Sequence, residues 1–289
     1  MRQDPFSRCH PVVNFCYFVV VIGFGVVIQH PAYTLASLLA GGSYYLLLSG
    51  RKGGAMVRGI LLFACAVALL NPLLNTQGKN VLFTVFGRPY TLQALCYGAA
   101  LGGIFALTVL WFGCYSAVLT SDKFTALFGN LIPSLSLLLV MVLRLIPSFT
   151  RKAVQISGAR SAIGKGTEAS DSFPDKLHNG MGILSSLTDW ALEGSIVTAD
   201  AMRSRGYGSA KRTNFHIYRL TFTDGLLLVI MGLLAACVLL CGGTEATYTP
   251  RLYISYVTAG FPAYCVLLLI PIIMYIRELL FWKRVRRKI

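Results

Sequence analysis

Long apolar runs alternate with short polar segments along most of this chain, and many of the polar segments are basic. Six runs approach or exceed the roughly 18 apolar residues that cross the hydrocarbon core of a bilayer as a helix. They lie at about 12–29, 32–49, 57–74, 92–119, 220–242 and 252–281. This pattern predicts an all-α integral membrane protein with about six transmembrane helices.

One more polar stretch separates the first four apolar runs from the last two. It divides the chain into three expected parts. These are N-terminal transmembrane helices over 1–120, a charge-rich helical module over 121–219, and C-terminal transmembrane helices with a basic tail over 220–289. Charge-rich helices held outside the bilayer indicate a place where a soluble partner docks.

The pattern within the central module predicts three helices. Residues 124–149 are apolar but broken by prolines, which favours a partly buried helix that turns along the membrane face. More polar helices follow over 148–163 and 183–205, and the glycines and proline of 164–182 predict a polar connector between them. The last of these helices should stop at Gly206.

Composition and charge agree with a membrane protein. The chain is 55% apolar and 13% charged, with a net charge of +15. If the N-terminus is inside, the outer loops contain only three of the 26 Lys and Arg residues, Lys79, Arg88 and Arg251. This bias follows the positive-inside rule and explains the charge without a nucleic-acid partner. A seventh span at 124–149 would place the basic central module outside, against that rule.

Candidate chemistry within the chain is sparse. The cysteines lie mostly in apolar runs without a paired CxxC, and the four histidines show no metal-ligand spacing, so we expect no metal or cofactor site. Asp189 and Glu193 form an i,i+4 carboxylate pair that would suit a magnesium-dependent membrane transferase. No third acidic residue completes that cluster, which favours a hydrated helix face.

Two arginine motifs stand out in the central module. They are Ala159-Arg160-Ser161 and Ser204-Arg205-Gly206, each near the predicted end of a helix. One such arginine alone is typical of a solvated or headgroup-facing side chain. Two of them, each at the end of a helix, favour guanidinium groups that fork onto carboxylates or backbone carbonyls of a partner protein.

An apolar face runs along the helix that precedes the second motif. At 100° per residue, Leu187, Trp190 and Val197 share one side of this helix. Asp189 and Glu193 lie on a neighbouring polar side. The helix is therefore predicted to be amphipathic, with an apolar face that packs against another element or a partner.

The motifs and several longer blocks resemble the transmembrane T component, EcfT or CbiQ-like, of energy-coupling factor (ECF) transporters. The resemblance covers about residues 8–280 and is most specific between 121 and 213. Ser161 replaces the Gly, and Ser204 the Ala, of the family's Ala-Arg-Gly motifs. The similar blocks are His-Pro-Val-Val-Asn-Phe at 10–15, Ser-Asp-Lys-Phe at 121–124, Val-Leu-Arg-Leu-Ile-Pro at 142–147, Trp-Ala-Leu-Glu at 190–193 and Ser-Arg-Gly-Tyr-Gly at 204–208.

This resemblance implies a scaffold subunit of an ECF-type ABC importer of a vitamin or transition metal. The scaffold would be a multi-pass protein of a prokaryotic cell membrane with both termini cytoplasmic, and it would not be an enzyme. Two partner ABC-type ATPases would bind ATP and Mg, and a separate membrane S component would bind the substrate. The implied ATPase contacts are Ala159, Arg160, Ser161, Ser204, Arg205 and Gly206. The implied S-component contacts are Leu187, Trp190 and Val197.

Two other functions compete with this one. A self-contained permease would need polar or charged groups inside the spans, where they are scarce. A membrane transferase would use Asp189 and Glu193. Co-purification with ATPases would favour the scaffold, whereas metal-dependent turnover by the chain alone would favour the enzyme.

Overall fold

Two histidine–proline pairs start the first two helices. His10 and His30 are N-caps, and Pro11 and Pro31 occupy the first helical position, where the missing N–H costs nothing. Each imidazole Nδ1 accepts a backbone N–H two residues ahead, at 3.3 Å for His10 and 3.2 Å for His30. Local sequence therefore sets the beginnings of both helices.

The structure is a computed structural model of the 289-residue chain. It describes residues 5–75, 81–85, 88–128, 133–166, 172–209, 218, 220–241, 246–248, 253–254, 256 and 258–286. The chain forms two compact units, one made of Met1–Phe124 with Tyr218–Ile289 and the other of Thr125–Ile217.

The first unit is a helical bundle. After a short 3₁₀ turn at Phe6–Arg8, its helices are α1 (Pro11–Val27), α2 (Pro31–Ser49), α3 (Arg51–Leu74), α4 (Leu92–Val118), α8 (Phe222–Leu240) and α9 (Gly260–Arg286). Helix α5 (Ser121–Phe128) crosses the boundary between the units, and α6 (Pro133–Ala162) and α7 (Phe173–Ser204) form the second unit.

Four helices in the described part of the chain are long and apolar enough to cross a membrane. They are Gly53–Leu74, Leu92–Val118, Phe222–Leu240 and Gly260–Arg286. The protein is therefore a multi-pass membrane protein. The other two expected spans also form helices, but α1 has only 17 residues, and α2, with 19, contains Ser, Thr and Tyr side chains.

Small residues bring α3 and α4 into close contact. A Cβ at Gly98 would lie 2.9 Å from the Ala68 carbonyl oxygen, and one at Gly102 would lie 3.3 Å from Ala64 Cα. Asn71 Nδ2 also donates a hydrogen bond to the Ala94 carbonyl at 2.8 Å. The two backbones approach because neither glycine has a side chain.

Buried aromatic residues join the remaining helices of this unit. Trp111 is fully buried on α4, and its indole N–H donates to the Ser37 hydroxyl of α2 at 2.8 Å. Tyr17 of α1 donates to the Leu268 carbonyl of α9 at 3.2 Å. Each polar tip has a partner, which offsets the cost of its burial.

The three connections α1–α2, α3–α4 and α8–α9 lie at one end of the bundle. Tyr248, between α8 and α9, donates to the carbonyl of Gln29, between α1 and α2, at 2.7 Å. The ring centroid of Tyr248 is 6.3 Å from that of Tyr97 near the start of α4. Burial raises the pKa of the Tyr248 phenol.

The opposite end of the bundle is formed by the N-terminal segment, the end of α4, the start of α8 and the end of α9. The ammonium group of Lys123 donates to the backbone carbonyl and hydroxyl of Ser7. His10 N–H donates to Asp224 Oδ1 at 3.3 Å, and Arg8 forms an ion pair with Glu278 at 3.3 Å. The 3₁₀ turn, the end of α9 and the residues that follow α4 thus share one end of this unit.

Two short hairpins replace the loops expected at the connection end. Strands β1 (Val81–Val85) and β2 (Arg88–Thr91) pair antiparallel, as do β3 (Ala246–Thr247) and β4 (Tyr253–Ile254). Such short strands leave no long alternating pattern in the sequence. Lys79 and Arg251, assigned to these connections, lie outside the described residues.

The helix boundaries expected in the second unit were wrong in two places. Pro147 lies inside α6, so the expected helices 124–149 and 148–163 do not meet there; α6 is continuous from Pro133 to Ala162. Helix α7 begins at Phe173, within the expected connector. Pro174 lies in its first turn, where proline is tolerated, and Asp175 complements the N-terminal dipole.

Candidate functional site

The first arginine motif lies in the last turn of α6. Gly164 follows the helix with a left-handed φ of +75°. Its N–H bonds to the Ser161 carbonyl at 3.0 Å, and the Lys165 N–H bonds to the Arg160 carbonyl at 2.9 Å. This pair of bonds is a Schellman motif with Gly164 at C′. Ser161 is a helical residue, so its replacement of Gly leaves the left-handed position, three residues later, unaffected.

The Arg160 side chain packs against α7. Its guanidinium group lies over Gly182, where a Cβ atom would come within 2.6 Å of Cζ and 2.8 Å of Nη1. Nε of Arg160 is buried and has no hydrogen-bond partner among the residues that the structure describes. Ala159 and Ser161 on either side are exposed. The absence of a side chain at residue 182 therefore accommodates the arginine.

The second motif ends α7 in the same way. Gly206 has a φ of +76°, and its N–H bonds to the Arg203 carbonyl at 3.0 Å. The Tyr207 N–H bonds to the Met202 carbonyl at 3.1 Å, which completes a second Schellman motif. The last helical residue of α7 is Ser204 and Arg205 is the C-cap, which agrees with the predicted stop at Gly206 to within one residue.

The two arginines differ in their surroundings. Arg205, Ser204 and Gly206 are all exposed, whereas Arg160 is half-buried against α7. Tyr207 is 51% exposed between two glycines with positive φ, since Gly208 has a φ of +89°. The second motif therefore presents a cation and an aromatic ring together on a tight turn.

Helices α6 and α7 are antiparallel. Phe149 contacts Trp190 with ring centroids 5.4 Å apart, while Asn179 Nδ2 donates to the Gly166 carbonyl at 3.2 Å. Since Arg160 lies at Gly182, Arg205 is 23 residues further along α7, or roughly 34 Å at 1.5 Å per residue. The two motifs are thus separated along one helix pair.

The apolar face of α7 has a packed part and an exposed part. Leu187 and Trp190 are half-buried, and the Trp190 ring contacts Phe149 and lies 5.7 Å from the Lys152 ammonium. Val197, by contrast, is 63% exposed. Every residue of the run 192–200 is exposed. Val197 is the only one of the three predicted contact residues in that run.

The acidic pair considered for a transferase is also exposed. Asp189 and Glu193 both lie on the solvent side of α7. Within the described ranges, no group of three or more His, Cys, Asp or Glu side chains is arranged to hold a metal ion.

Sequence reasoning missed three residues that shape this site. Gly182 and Lys152 act through contacts between helices, and no local pattern predicts those contacts. Tyr207 was visible in the second motif, but its exposure depends on the two positive-φ glycines beside it.

No protein-family model matches this chain, and no curated protein matches its sequence.

Proposed function

We propose that this chain is the membrane scaffold subunit of an ECF-type ABC importer. In this role it couples ATP hydrolysis by two partner ATPases to uptake of a micronutrient through a separate S component. ATP and Mg belong to the ATPases, and the chain itself has no catalytic role. The observation that carries the proposal is the pair of arginine-bearing helix ends on one antiparallel helix pair, roughly 34 Å apart along α7.

That separation suits two partner subunits better than one small ligand. Each arginine lies at a helix C-terminus closed by a left-handed glycine, which holds the backbone beside it in one conformation. A guanidinium held in this way forms bidentate hydrogen bonds with carboxylates or carbonyls on a protein surface. Ala159 and Ser161, and Ser204 and Gly206, would form the edges of these contacts.

The exposed part of α7 is the proposed contact for the S component. Val197 is 63% exposed on the apolar face, and Leu192 and Ile196, which are 60% and 63% exposed, lie on another side of the same turns. Leu187 and Trp190 are also implied S-component contacts. They would contribute the part of each side chain that α6 does not cover. A half-exposed apolar helix face of this kind is a common helix-docking surface.

We further propose that α1 and α2 cross the membrane with the four long helices, giving six spans. Both termini and the central module then lie in the cytoplasm of a prokaryotic cell, because the positive-inside rule places most Lys and Arg residues there. Closing of the ATPase dimer would move the two arginine contacts relative to each other. The helices would transmit that displacement to the S component as a two-state change.

Purification from native membranes tests this function. The tagged full chain, solubilised in mild detergent, should carry ABC-type ATPases and a small membrane protein at fixed stoichiometry, and the isolate should hydrolyse ATP. The chain expressed alone should not hydrolyse ATP. A chain that is purified without ATPases and binds or transports a solute alone would be a permease, and the scaffold role would be rejected.

A further inference from the structure

A cavity of about 440 Å³ lies beside the C-terminal end of α9 in the first unit. Pro5 of the N-terminal segment forms one wall. The apolar and aromatic lining comes from Tyr275, Leu279 and Trp282, and the cationic lining from Lys283 and Arg286. None of these residues belongs to the arginine motifs of the second unit.

The position of the cavity along α9 places it at a membrane surface. Helix α9 has 27 residues, or roughly 40 Å at 1.5 Å per residue, whereas the hydrocarbon core of a bilayer is about 30 Å thick. Its first turns adjoin the connection end of the bundle, since a Cβ at Gly260 would lie 3.4 Å from Tyr33 Oη of α2. The last two turns therefore reach the headgroup region, where Trp and Tyr side chains are enriched.

The carboxylate in the lining is already paired. Glu278 Oε1 lies 3.3 Å from Arg8 Nη1 and also accepts the indole N–H of Trp282 at 3.3 Å. Lys283 and Arg286 form no ion pair with any residue that the structure describes. Among the described residues, the cavity therefore has two cations without an ion-pair partner beside an apolar wall.

We propose that this cavity binds the headgroup of an anionic phospholipid. Lys283 and Arg286 contact the lipid phosphate, and Leu279 and Tyr275 pack against the upper part of the acyl chains. A free phosphate ion would gain nothing from the apolar wall, whereas a lipid matches both the charges and that wall. The bound lipid would also tie the N-terminal segment to α9, because Pro5 and the Arg8–Glu278 pair adjoin the same cavity.

The test compares two double variants with equal charge change. Lys283→Gln with Arg286→Gln removes the cavity cations. Arg277→Gln with Arg284→Gln removes two exposed cations of the same helix that do not line the cavity. The full-length protein in detergent is titrated with phosphatidylglycerol or phosphatidylcholine, and the bound lipid is counted by native mass spectrometry.

The cavity double variant should bind phosphatidylglycerol at least about tenfold more weakly than wild type, and the control should stay within about twofold. Lys283→Arg, which keeps the positive charge, should retain binding. Millimolar inorganic phosphate should not displace the lipid. Equal losses in the two double variants, equal binding of phosphatidylcholine, or displacement by inorganic phosphate would each overturn the proposal.

Discussion

The guanidinium group of Arg160 lies over Gly182 on the neighbouring helix, with no space for a Cβ atom between them. A glycine inside a helix costs about 1 kcal/mol relative to alanine, so residue 182 departs from local helix preference. The contact gives a physical reason for that departure. It also holds a residue of the first arginine motif in a set position at the end of α6.

Gly182→Ala should displace the Arg160 side chain without unfolding the helix pair. The added Cβ would clash with the guanidinium group, which must rotate away from α7. Phenylglyoxal modification of Arg160, measured by mass spectrometry, should therefore be faster than in wild type. If the proposed function is correct, binding of the ATPases should also weaken.

Gly180→Ala is the matched control, because a Cβ there meets no atom within 4 Å. It should leave Arg160 reactivity unchanged and stabilise α7 by up to about 1 kcal/mol. Unchanged Arg160 reactivity in Gly182→Ala would show that the glycine does not position the arginine. Altered reactivity with normal ATPase binding would reject only the role of Arg160 in docking.

Gly206→Ala should weaken the turn that ends α7. A residue with a Cβ at a φ of +76° costs roughly 1 kcal/mol or more. The Tyr207 amide, bonded to the Met202 carbonyl, should then exchange its hydrogen severalfold faster. Gly194→Ala, at an open helical position, should not show this increase. Equal protection of the Tyr207 amide in both variants would contradict the capping role.

Charges on the two parts of the α7 apolar face should act differently. Val197→Asp places a carboxylate on an exposed residue, so α6 and α7 should stay packed while the proposed S component dissociates. Trp190→Asp removes the contact with Phe149 and should disturb the helix pair itself. Limited proteolysis of the second unit, compared with S-component retention on an affinity column, separates these effects. Full retention of the S component by the Val197→Asp variant would show that this surface does not bind it.

Thiol labelling tests the proposed topology. In a background without native cysteines, Tyr256→Cys at the connection end should react with an impermeant maleimide in intact cells, since that position is 94% exposed. Ser209→Cys, just after the second motif, should react only after the cells are opened. The reverse labelling pattern would place the arginine motifs outside the cell and away from any ATPase.

Apolar run length and helix-ending glycines predicted much of this fold. The four long spans follow from runs that have few charges, and Gly206 marks the end of α7 because only glycine readily adopts its backbone conformation. The beginning of α7 was missed since Gly180 and Gly182 resemble connector residues. Contacts with α6 stabilise that segment, and such contacts are not encoded in local periodicity.

The sequence also predicted the candidate site only in part. Both arginines and the apolar face were visible in the sequence, but the half-buried position of Arg160 was not. Trp190 lies on the predicted face, yet its ring packs on Phe149 of the same chain. Amphipathic periodicity predicts which residues share a face but not what covers that face.

Binding of the ATPases by arginine variants tests the central claim most directly. Arg160→Ala and Arg205→Ala should each weaken binding by roughly 1.5–3 kcal/mol, about 10- to 150-fold, and the double variant should lose both the ATPases and substrate uptake. The control is Lys165→Ala with Arg203→Ala, which removes two exposed cations next to the same helix ends. We predict that the control complex retains its ATPases in affinity purification while the double arginine variant does not. Equal retention of the ATPases by the two double variants, with normal uptake, would contradict the scaffold role.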